Sequence, residues 1–155
     1  MNITLHLKIW GPTVTAEADV YTALKYHIDV DEYGTRRYYN VAGRLHRDNG
    51  PAVEYASGSK AWYQNGKRHR DVGPAVERMD DIMAWYQNGR RHRVDGPAIV
   101  HANGAQEWYH NGRRHRLDGP AIVHANGAQE WWINGTEYSS AEDFYSTLAK
   151  LKAHT

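Results

Sequence analysis

The chain has 155 residues, a length that suits one domain, with 41% hydrophobic residues, a formal net charge of +1 and no cysteine. Without cysteine there is neither a disulfide framework nor a thiolate to act as nucleophile or ligand, and no run of about 18 apolar residues offers a membrane-spanning helix. Phe occurs once against 6 Trp and 11 Tyr, so the aromatic mass lies in side chains with a polar handle, which suit half-buried sheets better than a dry core. With no basic segment followed by an apolar run at the N-terminus, a soluble, cytoplasmic protein is expected.

Residues 2–9 alternate, with Ile3, Leu5, Leu7 and Ile9 on one side and Asn2, Thr4, His6 and Lys8 on the other, which predicts a half-buried strand. Over residues 15–26 the spacing of Val20, Ala23 and Leu24 favours a short helix, although the Thr, Val and Tyr content also allows a strand. Residues 1–26 together read as an N-terminal cap. Residues 27–43 read as a degenerate first unit of a repeat: Ile28 and Val30 alternate, Glu32-Tyr33-Gly34 turns the chain, and Tyr39 stands 23 residues before Trp62.

Residues 44–135 hold four units of 23 residues, marked by Trp62, Trp85, Trp108 and Trp131, by the Gly-Pro glycines Gly50, Gly73, Gly96 and Gly119, and by His46, His69, His92 and His115. Residues 95–108 are identical to residues 118–131. A constant period without insertion implies one supersecondary element per unit, stacked on its neighbour. Within each unit, β-favouring runs alternate with residues that tolerate positive φ. Asn65-Gly66, Asn88-Gly89, Asn111-Gly112 and Asn134-Gly135 signal type I′ hairpins. Each Pro lacks an N–H donor, so Gly-Pro marks a strand start or a loop. The expected fold is mainly β, an antiparallel hairpin strip resembling a solenoid, with the four Trp as a ladder on one face whose truncation costs ~3 kcal/mol or more.

Residues 136–155 read as a C-terminal cap. Ser139 with Glu142 has the spacing of a capping box, and Phe144, Leu148 and Leu151 recur at i, i+4 and i+7. A helix over 141–153 is expected to lay this apolar side on the last hairpin, with a partner-binding helix as the other reading.

From about Tyr39 to Gly135 the pattern resembles the variant MORN repeat, whose Tyr-x-x-Asn-Gly-x-x-His-Gly units build a curved strip of β-hairpins. It departs from that form in placing Arg47, Arg70, Arg93 and Arg116 after His and in adding Gly-Pro-Ala. The resulting Trp-Tyr-x-Asn-Gly-x-x-His-Arg-x-x-Gly-Pro-Ala form is similar to repeat proteins of tailed phages and other viruses. The resemblance implies a phage-encoded factor that binds a bacterial protein, to block a defence or redirect a host enzyme.

Candidate chemistry is sparse. Equivalent His of successive hairpin units stand roughly 10 Å apart, whereas ligands of one zinc lie about 2.1 Å from it, so His46, His69, His92 and His115 are expected to bond a neighbouring carbonyl or carboxylate. No Gly-rich phosphate loop or isolated carboxylate pair is visible, and neither catalysis, metal nor cofactor is expected. Arg44, Lys67, Arg68, Arg90, Arg91, Arg113 and Arg114, with the Arg after each His, place 11 of the 19 basic residues in equivalent segments. Stacked, they form a stripe for nucleic acid or acidic lipid, with Tyr63, Tyr86, Tyr109 and Trp132 able to add stacking. Any nucleic-acid binding is expected to be weak and salt-sensitive. In the alternative, Arg packs on Trp and pairs with Asp48, Asp71, Asp95 and Asp118. The repeat fails at Met79-Asp80-Asp81-Ile82 and Met83, where the later units have Ala-Asn-Gly-Ala followed by Gln. Met79, Ile82 and Met83 are candidate apolar anchors for a protein partner, with Asp80 and Asp81 selecting a basic neighbour, and drift of a tolerant loop is the alternative. A structural virion component is the remaining reading.

Overall fold

The computed structural model describes residues 25–153. The strand expected over residues 2–9 and most of the helix expected over 15–26 lie outside the described residues. What remains is mainly β, an antiparallel strip of hairpins closed by one C-terminal helix.

Each unit folds as two hairpins of different kinds. The first starts after Gly-Pro-Ala. Strands β3 (Val53–Glu54) and β4 (Lys60–Ala61) flank a five-residue turn, and the same pairing recurs for β7 (Val76–Glu77) with β8 (Met83–Ala84) and for β11 (Ile99–Val100) with β12 (Gln106–Glu107). The last such pair is β15 (Ile122–Val123) with β16 (Gln129–Ile133). These strands also pair across units, and with β1 (His27–Val30), β2 (Arg36–Tyr39) and β17 (Thr136–Tyr138) they make one sheet of 11 strands.

The second hairpin turns on Asn-Gly. It joins β5 (Tyr63–Gln64) to β6 (Lys67–Arg68), β9 (Tyr86–Gln87) to β10 (Arg90–Arg91), and β13 (Tyr109–His110) to β14 (Arg113–Arg114). These three are separate two-stranded ladders beside the 11-stranded sheet. The chain passes from one ladder to the other at Trp: the Trp62, Trp85 and Trp108 amides still bond the carbonyls of Ala75, Ala98 and Ala121 at 2.7–2.8 Å, while their own carbonyls take the amides of His69, His92 and His115 at 3.1 Å. In the last unit β16 instead runs on without a break to pair with β17 around Asn134-Gly135. Both turn residues take positive φ, as in Asn65 at 50° with Gly66 at 82°, which is the type I′ geometry.

The core is thin. Ala52, Ala75, Ala98 and Ala121 are fully buried, and their carbonyls accept the amides of Tyr38, Trp62, Trp85 and Trp108. On one side of the main sheet the paired residues run Val53, Ala61, Val76, Ala84, Ile99, Glu107, Ile122 and Glu130. Glu54, Glu77, Val100 and Val123 lie on the other.

The degenerate unit is out of step by one residue. Tyr38, and not Tyr39, fills the Trp position: its amide bonds Ala52 O at 2.8 Å and its carbonyl takes the His46 amide at 2.9 Å, as Trp62 does with Ala75 and His69. The turn from Asn40 to Arg44 has one residue more than an Asn-Gly turn, and that extra residue displaces the register.

Helix α1 (Ala141–Lys152) starts at Ser140, whose hydroxyl accepts from the Asp143 amide at 3.1 Å, so the expected cap at Ser139 is corrected by one position. Ser139 hydrogen-bonds the Asp143 carboxylate instead. Phe144 and Leu148 are buried against Ile133, Trp131 and Tyr138, as an end cap requires. Leu151 is 52% exposed and takes no part. Glu142 and Asp143 in the first turn and Lys150 and Lys152 in the last complement the helix dipole.

Candidate functional site

The repeated residues divide into those that hold units together and those left facing solvent. Arg70, Arg93 and Arg116 each lay a guanidinium over a Trp ring, at 3.8 Å on Trp62 and 4.0 Å on Trp85 and Trp108, and Arg47 does the same on Tyr38 at 3.9 Å. The same guanidiniums donate to the carbonyls of Pro51, Pro74, Pro97 and Pro120. This explains the Gly of Gly-Pro: a Cβ on Gly96 or Gly119 would lie 3.1 or 3.0 Å from the Arg93 or Arg116 guanidinium carbon. The Trp thus occupy equivalent, half-buried positions, but Trp62, Trp85 and Trp108 are each capped by Arg. Among the described residues no ring contact joins two of the four Trp.

The repeated His are unit-to-unit staples. Nδ1 of His46, His69, His92 and His115 accepts the backbone amide of Asn65, Asn88, Asn111 and Asn134, at 3.1–3.2 Å. The partner is a turn amide one unit on, in place of the expected carbonyl. The expected carboxylate is found twice, where Nε2 of His46 and His69 meets Asp48 and Asp71 at 3.0 and 2.9 Å. Asp48 also receives Lys25 and the Tyr26 hydroxyl, which hold its pKa down to about 2. In the later units Asp95 and Asp118 pair with Arg93 and Arg116, while His92 and His115 flank the His110 ring at 4.8 and 5.6 Å. Burial first, and the proximity of His110 second, lowers the pKa of both His92 and His115.

The basic stripe separates by strand alternation. Arg68, Arg91 and Arg114 lie over the next unit's Tyr86, Tyr109 and Trp132 at 4.9–5.3 Å, so those aromatic faces are already covered. Arg44, Lys67, Arg90 and Arg113 are exposed, and the first carbons of each side chain rest over the next turn's glycine, Gly66, Gly89, Gly112 and Gly135. Among the described residues these four make no ion pair. Lys67, Arg90 and Arg113 stand directly opposite Gln64, Gln87 and His110.

The irregular tip of the second unit keeps the turn of its neighbours. Asp81 donates its amide to Arg78 O at 3.1 Å and takes φ of 56°, the position that Gly58, Gly104 and Gly127 fill at 84–90°. Met79 leans on the preceding tip, its amide bonded to Ser59 Oγ at 3.1 Å, and it is still 66% exposed. Met83 is 41% exposed. Two expectations are corrected. Arg78 grips Asp80 through both carboxylate oxygens at 2.9 and 2.7 Å, while Asp81 has no cation partner among the described residues. Ile82 is half-buried against the cluster of Ala84, Ala98, Ile99 and Tyr109.

A cleft of about 280 Å³ on the last two units, not foreseen from the sequence, holds His101 with Glu107 at 2.9 Å and His124 with Glu130 at 2.7 Å, beside Arg114. Burial pushes both Glu up, but His101 and the Tyr109 hydroxyl on Glu107, and His124 and the Trp132 indole on Glu130, outweigh it and leave both below the usual range. Recurrence of His and Glu at an interval of 23, absent where Ala61 and Ala84 stand, was the available signal. Among the described residues no group of three or more His, Cys, Asp or Glu is placed to hold a metal ion, and no described helix is long and apolar enough to cross a membrane. Neither a scan against protein-family models nor a search of curated proteins found a match to this chain.

Proposed function

We propose that this protein is a non-enzymatic repeat scaffold that binds another protein through the irregular tip of its second unit. The observation that carries the reading is Asp81 in the left-handed region at a solvent-exposed tip, where every other unit uses Gly. Asp tolerates such φ, as the Asn of the four Asn-Gly turns does, so what sets this tip apart is its departure from the Gly of the other units. Around it Met79 and Met83 give adaptable apolar area and Asp81 a charge open to a partner, a combination suited to an apolar pocket rimmed by cations. Repetition supports the non-enzymatic part, since the His–Glu pairs occur twice at equivalent positions, as a packing device does. The variant MORN-like pattern and its similarity to phage repeat proteins direct the search to a bacterial host protein met in the cytoplasm, in defence or metabolism.

The test compares the native chain with Met79→Ala/Asp80→Asn/Asp81→Gly, Ile82 being kept because it packs on the core. Affinity capture from bacterial lysate identifies a partner, which is then titrated against both forms. At least a tenfold loss, ~1.4 kcal/mol, is expected with stability unchanged or raised. Equal affinity of the two forms refutes the tip as the recognition surface.

A further inference from the structure

The row Arg44, Lys67, Arg90 and Arg113 is a surface independent of the tip. The other cations of the stripe are engaged on rings, carbonyls or carboxylates; these four are exposed and make no ion pair among the described residues. Their stems lie over successive turn glycines, which sets the four charges in one row. The hairpin partners directly opposite Lys67, Arg90 and Arg113, namely Gln64, Gln87 and His110, share the same face and add a hydrogen-bonding side chain beside each of these three charges. Each unit adds two strands, so successive charges stand roughly 10 Å apart and the row spans roughly 30 Å.

We propose that this row docks the phosphate backbone of double-stranded nucleic acid, independently of base sequence. A line of single charges fits a linear polyanion better than a membrane plane, which rewards apolar insertion: the turns at Asn65-Gly66, Asn88-Gly89, Asn111-Gly112 and Asn134-Gly135 offer no apolar side chain, and Val41 in the Asn40–Arg44 turn is a single one at the end of the row. A single strand would gain its affinity from base stacking, but the Tyr86, Tyr109 and Trp132 faces are occupied by Arg68, Arg91 and Arg114. Duplex phosphates need no stacking surface, and the row's length is close to one duplex turn of about 34 Å.

The test is fluorescence anisotropy of a labelled 20-base-pair DNA duplex of about two turns against the full chain, at 50 and 200 mM monovalent salt. Four phosphate contacts set a log–log salt slope of about −3.6, which weakens binding about 150-fold between the two concentrations. Lys67→Gln/Arg90→Gln removes two charges while keeping the stems, and the slope falls to about −1.8, or about 12-fold. Arg44→Gln/Arg113→Gln has the same expected slope and shares no residue with the first pair, so a folding defect in one, seen by circular dichroism, leaves the other to be read. No duplex binding at 50 mM salt overturns the proposal, as does tighter binding of the matching single strand or of phosphatidylserine vesicles, or a slope unchanged in the folded variants.

Discussion

Removing Arg93 and Trp85 singly and together isolates the contact that repeats through the strip. The Arg93 guanidinium lies 4.0 Å from the Trp85 ring centre and is only 23% exposed, so the cation–π term is worth about 1 kcal/mol, between the exposed and the desolvated limits. The bond to Pro97 O is long at 3.3 Å and adds about 1 kcal/mol, while Asp95, at 81% exposed, adds less than about 0.5. Arg93→Ala therefore costs about 2.5 kcal/mol. Trp85 is half-buried, so Trp85→Ala costs about 2 kcal/mol, below the ~3 kcal/mol of a fully enclosed aromatic. The double variant should lose about 1 kcal/mol less than the two single losses combined, because both remove the same contact. Urea unfolding followed by far-UV circular dichroism reads all four proteins. A coupling within about 0.3 kcal/mol of zero would show that Arg93 merely lies beside Trp85.

The His92 and His115 staples require a neutral ring, because Nδ1 accepts a proton-bearing amide. Their folded pKa values are depressed, so this stability is full above the unfolded value of about 6.5 and lost as pH falls through it toward the folded values. The urea midpoint should fall between pH 7.5 and 5.0, and His110→Gln, matching Gln64 and Gln87, should shrink the fall; an equal fall refutes the role of His110. Phe144→Ala should cost about 3–4 kcal/mol and melt α1, read as helical ellipticity lost ahead of the sheet signal. Ser140→Ala should cost about 1 kcal/mol, and a larger loss from Ser139→Ala would return the cap to Ser139.

How much of this was legible depends on whether a feature repeats locally or across units. The period of 23 is explicit in the sequence, and the positive-φ Asn-Gly turns and the presence of the C-terminal helix, though not its cap, needed only neighbouring residues and were readable. The slip from Tyr39 to Tyr38 was not, because an extra residue in the Asn40–Arg44 turn leaves His46 and Gly50 in phase and so hides from interval counting. Nor was the sorting of the basic stripe, since Lys67 and Arg68 are adjacent in sequence and only the β6 pleat sends them to opposite sides. The change of ladder at Trp depends on two partners, one of them 13 residues away, as Trp62 with Ala75 and His69 shows, and no local propensity carries that information.

The exchange of Glu for Val within the repeat reorganises both faces of the strip. Arg47 and Arg70 reach Glu54 and Glu77 at 2.8 and 2.5 Å, which leaves Asp48 and Asp71 to His46 and His69. At the equivalent places Val100 and Val123 have no carboxylate, so Arg93 and Arg116 turn to Asp95 and Asp118, and His92 and His115 lose their acid. A carboxylate reappears on the opposite side of the sheet, as Glu107 and Glu130 where Ala61 and Ala84 stood, each held by a new His. If this competition sets the pattern, Val100→Glu alone should draw Arg93 from Asp95 and hand Asp95 to His92. The His92 pKa, followed by NMR titration of its ring protons, should then rise, because a carboxylate beside Nε2 favours the charged ring. Adding Asp95→Asn should cancel most of the rise, whereas a rise caused by the direct field of the introduced carboxylate would persist. An unchanged His92 in Val100→Glu would refute the competition and leave the two kinds of unit as separate solutions to the same packing problem.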